Sequence, residues 1–212
     1  MCSTACPLCH SAETEQFHQD KNRLYRRCST CQLTFVPKEF HLSANAEKAQ
    51  YDLHQNSPAD EGYRRFLSRV CIPVAQRIKP GSRGLDFGSG PGPTLSGMFC
   101  ELGHNVQIYD PFYAVDDSIL NSEYDFVTAT EVVEHFREPR IELEKIWNCV
   151  GAGSVLGIMT KLAQGQIAFS NWHYKNDLTH VSFFSRPTFE WLAGQWKSEL
   201  QFIGNDVMVF QK

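Results

Sequence analysis

The sequence predicts an α/β fold with a mainly parallel sheet, because strand-like and helix-like segments alternate along most of the chain. Two further observations complete this prediction. Two Cys-x-x-Cys pairs near the N-terminus indicate a small zinc-binding unit ahead of the sheet. Near the C-terminus, the segments ELQFI and VMVFQ flank Gly204-Asn205-Asp206, which predicts a closing antiparallel hairpin.

Composition excludes several classes of protein. The 212 residues suit one domain of ordinary size with a small appendage, and 42% of them are hydrophobic. No apolar run approaches the ~18 residues of a membrane span, and MCSTACPLCH lacks the basic and apolar regions of a secretory signal. The net charge of −4 argues against broad non-specific binding to nucleic acids. We therefore expect a cytoplasmic protein that does not contact membranes.

The two cysteine pairs have the spacing of a four-thiolate zinc site. Cys6 and Cys9 form CPLC, Cys28 and Cys31 form CSTC, and 18 residues separate the pairs. Each pair places two sulfurs on one side of a tight turn, and two such turns complete a tetrahedron. We therefore predict a zinc ribbon over residues 1–40, in which the metal supplies the stability that so small a core lacks.

Changes in composition divide the rest of the chain into two segments. The polar residues 41–60 are interpreted as a linker, and residues 61–212 as the domain that carries the main sheet. This domain opens with apolar residues at helical spacing, in a helix that we expect Pro73 to kink or split.

In the predicted ribbon, Cys2 and His10 could each replace one of the four cysteine ligands of zinc, although both fit the spacing less well.

Turn and capping residues bound the elements of the 61–212 domain. Gly103 ends one helix as its C′ residue, and Ser185 with Pro187 starts the last helix as N-cap and first-turn proline. Strands that alternate with helices imply a mainly parallel sheet. The predicted order is strand RGLDF, helix PTLSGMFCELG, strands NVQIYD and YDFVTAT, helix PRIELEKIWNCVG, strand GSVLGIMTK and helix SRPTFEWLAGQW.

A glycine-rich loop follows the first of these strands. In LDFGSGPGPTL, the residues of interest are Asp86, Gly88, Gly90 and Gly92. Glycines permit positive φ angles and let the backbone approach a ligand closely. The loop differs from the GxGxxG of dinucleotide-binding folds in its spacing and in the carboxylate that precedes it. Asp110 ends the next strand, where it could accept hydrogen bonds from ribose hydroxyls.

On these motifs, residues 82–210 resemble a class I S-adenosylmethionine-dependent methyltransferase domain, which has a Rossmann-like sheet and a terminal antiparallel hairpin. The resemblance implies that the loop with Asp86, Gly88, Gly90 and Gly92 receives the methionine and ribose portion of the cofactor. It implies that Asp110 holds the ribose diol and that Glu131 contacts the cofactor. Only 12 residues separate Asp110 from Glu123, so the helix and strand that the family usually has there must be shortened.

The segment TATEVVEHF, residues 128–136, adds an acidic cluster at the end of a predicted strand. If the chain becomes helical directly afterwards, Glu131, Glu134 and His135 share one face. Two carboxylates and an imidazole suit a divalent cation. A fourth ligand could come from His173 or His180 further along the chain.

The Glu-x-x-Glu-His pattern, with a later histidine ahead of SRPTFEWLA, resembles two groups of enzymes: small-RNA 3′-terminal 2′-O-methyltransferases and ubiquinone-pathway O-methyltransferases. This resemblance implies that Glu131, Glu134, His135 and His180 bind Mg²⁺ or Mn²⁺. In an alternative without this metal, Glu131 contacts the cofactor, and His135 or His180 removes a proton from the substrate. Purely structural roles for the cluster are a third interpretation.

These resemblances imply a methyltransferase that uses S-adenosylmethionine and acts on a hydroxyl of a small molecule, with Mg²⁺ or Mn²⁺ as a further cofactor in the first of the three interpretations. The cysteine spacing adds a structural Zn²⁺. A hydroxyl must lose its proton as it attacks, and a metal or an imidazole assists that loss. One alternative is an RNA methyltransferase, guided by the ribbon and by Arg64, Arg65 and Arg69. Another is a non-catalytic module that binds S-adenosylmethionine.

Overall fold

Short antiparallel strands build the N-terminal part of the chain in the computed structural model, which describes residues 5–53 and 57–212. The first four residues of the predicted ribbon, Cys2 among them, and residues 54–56 of the predicted linker lie outside the described residues. The strands, each paired with the next, are β1 (Thr14–Gln19), β2 (Leu24–Cys28) and β3 (Thr34–Phe35).

Two helices lead from these strands to the main sheet. Within residues 41–60, α1 (Ala44–Tyr51) begins at Ser43, whose hydroxyl accepts a hydrogen bond from a backbone N–H of the first turn. The second helix, α2 (Glu61–Ala75), begins at Asp60, whose carboxylate caps it in the same way. It runs through Pro73 and ends at Ala75, so the proline lies in the last turn and does not split the helix.

The remaining strands and helices alternate, as the sequence predicts. They are β4 (Arg83–Phe87), α3 (Thr94–Glu101), β5 (Asn105–Tyr109), β6 (Tyr124–Thr130), α4 (Pro139–Cys149), β7 (Val150–Met159), α5 (Gln166–Ser170), β8 (Ser182–Phe183), α6 (Arg186–Trp196), β9 (Glu199–Ile203) and β10 (Val207–Gln211). Six of the strands form the main sheet in the order β5-β4-β6-β7-β10-β9. The first four are parallel, and β10 runs antiparallel to both neighbours. This confirms the predicted α/β fold with its antiparallel hairpin.

The N-terminal strands share a sheet with a segment from the far end of the chain. Strand β8 pairs antiparallel with β3, which gives a four-stranded sheet in the order β1-β2-β3-β8. Aromatic rings reinforce this junction, because Phe169 of α5 packs against Phe17 and Tyr25 at ring distances of 5.3 and 5.2 Å. The predicted ribbon is therefore joined to the C-terminal half by backbone pairing and by an apolar cluster.

The connection between β5 and β6 is as short as the sequence predicts. Residues 110–123 contain one short 3-10 helix, Asp117–Asn121, and β5 is consequently an edge strand of the main sheet. Because β4, β5 and β6 are parallel neighbours, their carboxyl ends lie side by side and form one edge of the sheet. No helix within residues 5–53 and 57–212 has the length and apolar character needed to cross a bilayer.

Candidate active site

A cavity of about 670 Å³ lies at the carboxyl ends of β4, β5 and β6. Its wall contains the loop 88–91 after β4, the turn 110–113 after β5 and the segment 130–138 after β6. Side chains of α1 and α2 cover it from the other side, and His180 reaches it from the segment before β8. Three strand ends, two helices and a distant histidine thus meet at one place.

The glycine loop takes the strained backbone that its sequence predicts. Gly88 and Gly90 have φ angles of 77° and 65°. A Cβ on Gly88 would lie 2.3 Å from the side chain of Val132, whereas a Cβ on Gly90 would meet no atom within 4 Å. Gly90 therefore borders open space in the cavity wall. Gly92 does not line the cavity, and its carbonyl accepts a hydrogen bond from Thr94 at the start of α3.

Asp110 ties the glycine loop to the turn after β5. One carboxylate oxygen accepts hydrogen bonds from the amides of Phe112 and Tyr113 at 2.8 and 3.1 Å, and the other accepts from the amide of Gly90 at 2.9 Å. A carboxylate offers about four acceptor positions, so one position remains after these three bonds. Asp110 lines the cavity.

Asp86 lies behind the loop instead of facing the cavity. Its side chain is buried and accepts a hydrogen bond from the hydroxyl of Thr128 at 2.9 Å. Burial raises the pKa of Asp86 to about 6, and the hydrogen bond from Thr128 opposes that rise. The structure thus places Asp86 in the support of the predicted cofactor loop, while Gly88, Gly90 and Asp110 line the cavity.

Two polar atoms at the end of β6 have no hydrogen-bond partner among the described residues. They are Thr130 Oγ1 and Glu131 Oε1, both buried. The other oxygen of Glu131 lies 3.3 Å from the hydroxyl of Tyr174. Burial first, and then the charge of Glu134, raise the pKa of Glu131. Buried polar atoms without partners are costly, so this pair indicates a place for a bound donor.

Three of the four predicted metal ligands come together. One ligand atom from each of Glu134, His135 and His180 lies within 4.8 Å of the other two. Glu131 is not part of this group, because the chain does not become helical where the sequence suggested. Its backbone is left-handed (φ 51°), and only Val133–His135 form a short 3-10 helix.

Both histidines of this cluster are oriented by backbone carbonyls. Nδ1 of His180 lies 2.7 Å from the carbonyl oxygen of Tyr174, and Nδ1 of His135 lies 3.3 Å from that of Thr179. A carbonyl oxygen only accepts hydrogen bonds, so in each neutral ring Nδ1 carries the proton. Each Nε2 then carries a lone pair, as a metal ligand or a base requires.

Both carboxylate oxygens of Glu134 accept a hydrogen bond from a hydroxyl group. The hydroxyl of Tyr174 donates to one carboxylate oxygen, and the hydroxyl of Thr160 donates to the other at 3.0 Å. Burial raises the pKa of Glu134, and the nearby His180 opposes that rise. Burial, and then the charge of His135, lower the pKa of His180 to about 4. His180 is therefore neutral at physiological pH.

Helix α1 supplies site residues that sequence reasoning missed. Glu47 and Tyr51 line the cavity, and Arg137 forms an ion pair with Glu47. The ring of Tyr51 meets that of His135 edge to face at 5.2 Å. The one feature of the sequence that indicates helix α1 is Ser43, a good N-cap in front of helix-forming residues. Nothing in the sequence indicated that this helix covers the cavity.

The four cysteines of the two Cys-x-x-Cys pairs form a second cluster outside the cavity. All four sulfur atoms lie within 4.8 Å of one another. Two of these distances are 3.3 Å between the sulfurs of Cys9 and Cys28 and 3.5 Å between those of Cys6 and Cys31. Tetrahedral thiolates at ~2.3 Å from zinc would be about 3.8 Å apart. The hydrogen bond from Cys31 lowers the pKa of Cys6 to about 6.

Comparisons with known proteins agree with this fold. The profile of a methyltransferase domain family matches residues 59–196. No match is found among curated proteins. An O-methyltransferase family protein from Burkholderia thailandensis has a similar structure, with a TM-score of 0.56 at 12% identity over 80% of this chain and 60% of its own.

Two further solved structures have the same fold at similarly low identity. The 1,6-didemethyltoxoflavin-N1-methyltransferase of Burkholderia thailandensis, with bound 1,6-didemethyltoxoflavin and S-adenosylhomocysteine, gives a TM-score of 0.51 at 14% identity, over 93% of this chain and 99% of its own. A SAM-dependent methyltransferase from Archaeoglobus fulgidus gives a TM-score of 0.51 at 15% identity, over 71% of this chain and 99% of its own. The family profile extends over most of the chain. The protein therefore belongs to the methyltransferase domain family, which confirms the predicted enzyme class, an S-adenosylmethionine-dependent methyltransferase.

Proposed function

We propose that this enzyme transfers a methyl group from S-adenosylmethionine to a hydroxyl of a small molecule, assisted by a divalent cation. The observation that supports this most is the position of Glu134, His135 and His180, which line the same cavity as the glycine loop. These three residues would hold the cation, which would assist the loss of the acceptor's proton in the same cavity.

The residues at the end of β6 and in the glycine loop fit S-adenosylmethionine. Thr130 and Glu131 offer unpaired acceptors for an ammonium group, Gly90 leaves open space, and Asp110 retains one acceptor position for a ribose hydroxyl. When bound, S-adenosylmethionine supplies a methyl group on a positively charged sulfur. We assign Asp86 and Gly92 to the support of the loop.

The charge of the cavity wall also suits a cationic ligand. Seven acidic and two basic residues line it among the residues that the structure describes, and the acidic residues still outnumber the basic ones without Glu131 and Glu134, whose pKa values burial raises. A cleft lined by one sign of charge attracts ligands of the opposite sign. The acidic residues are Glu47, Asp110, Glu131, Glu134, Glu138, Glu142 and Asp177, and the basic ones are Arg137 and Lys145.

One carboxylate and two imidazoles are a suitable donor set for a divalent metal such as Mn²⁺. Glu134, His135 and His180 would hold it, and three protein ligands leave coordination positions for the acceptor oxygen. The cation would lower the pKa of the acceptor hydroxyl, which must lose its proton during transfer. Carbonyls behind both imidazoles and donors on Glu134 provide the outer support that metal ligands need.

The metal-free alternative, with a histidine as general base, has less support. An efficient base has a pKa near the working pH, whereas the pKa of His180 is lowered to about 4. The neutral ring is the form that binds cations. The lowered pKa therefore argues against His180 as the base, and His135 remains the candidate base of the metal-free alternative.

The RNA alternative also has little support. Arg64 forms an ion pair with Glu101, and Arg69 forms one with Asp206, so two of the three arginines suggested for RNA binding are already neutralised. The cationic surface that phosphate recognition needs is correspondingly reduced. We therefore propose a small-molecule acceptor.

We further propose that residues 1–40 form a zinc ribbon with Cys6, Cys9, Cys28 and Cys31 as ligands, which precedes the 61–212 methyltransferase domain. The clustering of the four sulfurs supports this assignment. Elemental analysis of protein purified without chelators should find about one zinc per chain. Protein without zinc, yet with native ribbon structure, would contradict it.

Asp110→Ala should weaken the binding of S-adenosylhomocysteine without unfolding the protein. A hydrogen bond to a charged acceptor contributes about 1.5–3 kcal/mol, which corresponds to roughly ten- to hundred-fold in affinity. Calorimetric titration measures the change. Asp116→Ala is a matched control, because Asp116 also caps a backbone amide, that of Ser118, in the same connection but does not line the cavity. Equal affinities for Asp110→Ala and the wild type would show that the ribose lies elsewhere.

The reaction itself can be tested with S-adenosylmethionine that carries a labelled methyl group. We expect label in phenols, catechols or polyols, loss of transfer after brief mild chelation, and recovery with Mn²⁺ or Mg²⁺. Brief chelation spares the tightly held zinc. Transfer to RNA, or transfer that chelators leave unchanged, would contradict the proposal.

A further inference from the structure

One arginine of the N-terminal ribbon holds the segment that carries His180. The guanidinium of Arg23 donates hydrogen bonds to the backbone carbonyls of Lys175, of Asp177 at 2.7 Å and of Leu178 at 3.1 Å. The side chain is 3% exposed. Hydrogen bonds from a charged donor are stronger than neutral ones, particularly where water is excluded. Three carbonyls on one guanidinium therefore fix the path of this segment.

Arg23 is itself held by a rigid frame inside the ribbon. Its Nε donates to the hydroxyl of Tyr25 at 3.0 Å, and that hydroxyl donates to Asp20 at 2.9 Å. The other oxygen of Asp20 accepts from the backbone amide of Arg23 at 3.0 Å. Nζ of Lys175 lies 3.5 Å from Asp20, so the frame reaches the segment by a second contact.

The segment held by Arg23 orients both imidazoles of the cluster. It carries His180, its Tyr174 carbonyl faces Nδ1 of His180, and its Thr179 carbonyl faces Nδ1 of His135. The three carbonyls that accept from Arg23 belong to residues between Tyr174 and Thr179 in the chain. A shift of the segment would therefore displace His180 and both carbonyls that select the Nδ1–H tautomers.

We propose that Arg23 is a positioning residue of the active site, which fixes residues 174–180 so that His135 and His180 both keep Nε2 unprotonated. This inference rests on the proposed function of the two histidines. It makes the zinc ribbon a structural part of the methyltransferase site, in contrast to a separate module that captures substrates.

Arg23→Ala, Arg23→Lys and Arg27→Ala form a matched set for the test. Arg27 is an arginine of the same ribbon that also reaches the C-terminal half, but its side-chain hydrogen bonds go to Thr34 and, at 3.0 Å, to the carbonyl of Gln164, which lies outside residues 174–180. The lysine variant keeps the charge and part of the hydrogen bonding. Zinc content and the affinity for S-adenosylhomocysteine should remain unchanged in all three.

Histidine tautomers, read from long-range ¹H–¹⁵N NMR spectra, are the main measurement. His135 and His180 signals can be assigned with His135→Gln and His180→Gln. We expect both histidines to be Nδ1–H tautomers in the wild type and in Arg27→Ala. In Arg23→Ala we expect a mixture of the two tautomers, and in Arg23→Lys a larger share of the Nδ1–H tautomer than in Arg23→Ala. Amide exchange over 177–181 should accelerate about ten-fold or more in Arg23→Ala.

A second measurement links the tautomers to the cation. Mn²⁺ affinity of the zinc-loaded protein should fall about 10- to 100-fold in Arg23→Ala, as it does when the groups behind metal ligands are lost. A folded Arg23→Ala with unchanged tautomers and exchange would overturn the inference. If that variant does not fold, Arg23→Gln, which lacks the charge and cannot reach all three carbonyls, replaces it, and unchanged tautomers and exchange in Arg23→Gln overturn the inference. A wild type that binds no Mn²⁺ would count against the proposed cation, while the tautomers still decide the role of Arg23.

Discussion

Glu134→Gln should reduce kcat by about 10²- to 10³-fold and leave the affinity for S-adenosylhomocysteine unchanged. A bound cation contributes several kcal/mol by stabilising the acceptor oxygen as it becomes anionic, and each ~1.4 kcal/mol is a factor of ten in rate. Glutamine keeps the shape of the side chain, and its carbonyl can accept from one of the hydroxyls of Thr160 and Tyr174 while its NH2 donates to the oxygen of the other, so the fold should persist. Steady-state kinetics and calorimetry on the same preparation measure both effects.

Glu144→Gln is the matched control for this variant. Glu144 lies on the exposed face of α4, where it pairs with Arg140, and it does not line the cavity. Exposed ion pairs contribute little to stability, so its kcat should equal that of the wild type. If Glu134→Gln kept wild-type turnover, Glu134 would have a structural role and the proposed cation site would be wrong.

Cys28→Ser should have the second largest effect, because it removes a ligand of the proposed zinc. Structural zinc sites contribute roughly 10–16 kcal/mol of apparent binding energy at neutral pH, and much of it is folding energy. Considered from the sequence alone, this loss would unfold the ribbon and spare the methyltransferase domain. The structure predicts a wider effect, because β3 pairs with β8 and Arg23 holds the His180 segment.

Two measurements separate these outcomes. Hydrogen exchange should accelerate in residues 14–35 and also in 174–183, while β4, β5 and β6 remain protected. The affinity for S-adenosylhomocysteine should stay close to that of the wild type, since its proposed contacts come from the main sheet. Cys100→Ser, at an exposed thiol on α3, should change neither. Exchange confined to residues 14–35 would show that the ribbon and the site are independent.

The parts of the structure that depend on neighbouring residues were predictable from the sequence. The alternation of strands and helices gave the main sheet, and the glycine pattern after β4 gave the loop at Gly88 and Gly90. Parallel strands also bring their carboxyl ends together, so the approach of Asp110 to the glycine loop followed from the fold.

The parts that depend on distant contacts were not predictable in this way. Arg23 and the carbonyl of Leu178 are 155 residues apart in the chain, and no local pattern indicates their hydrogen bond. The same holds for Tyr174, whose hydroxyl donates to Glu134 across 40 residues. Glu131 illustrates a different limit. The sequence predicted that helical spacing would bring Glu131 beside Glu134, but Glu131 has a left-handed backbone and lies outside the candidate cluster of Glu134, His135 and His180.

The central claim is that Glu134, His135 and His180 hold a divalent cation beside the cofactor. The most direct test is a titration of Mn²⁺ into the zinc-loaded protein with saturating S-adenosylhomocysteine, in which electron paramagnetic resonance measures the bound Mn²⁺. We expect one bound Mn²⁺ per chain in the wild type and in Glu144→Gln, and none in Glu134→Gln at the same concentration. A wild type that binds S-adenosylhomocysteine but no Mn²⁺ would contradict the claim.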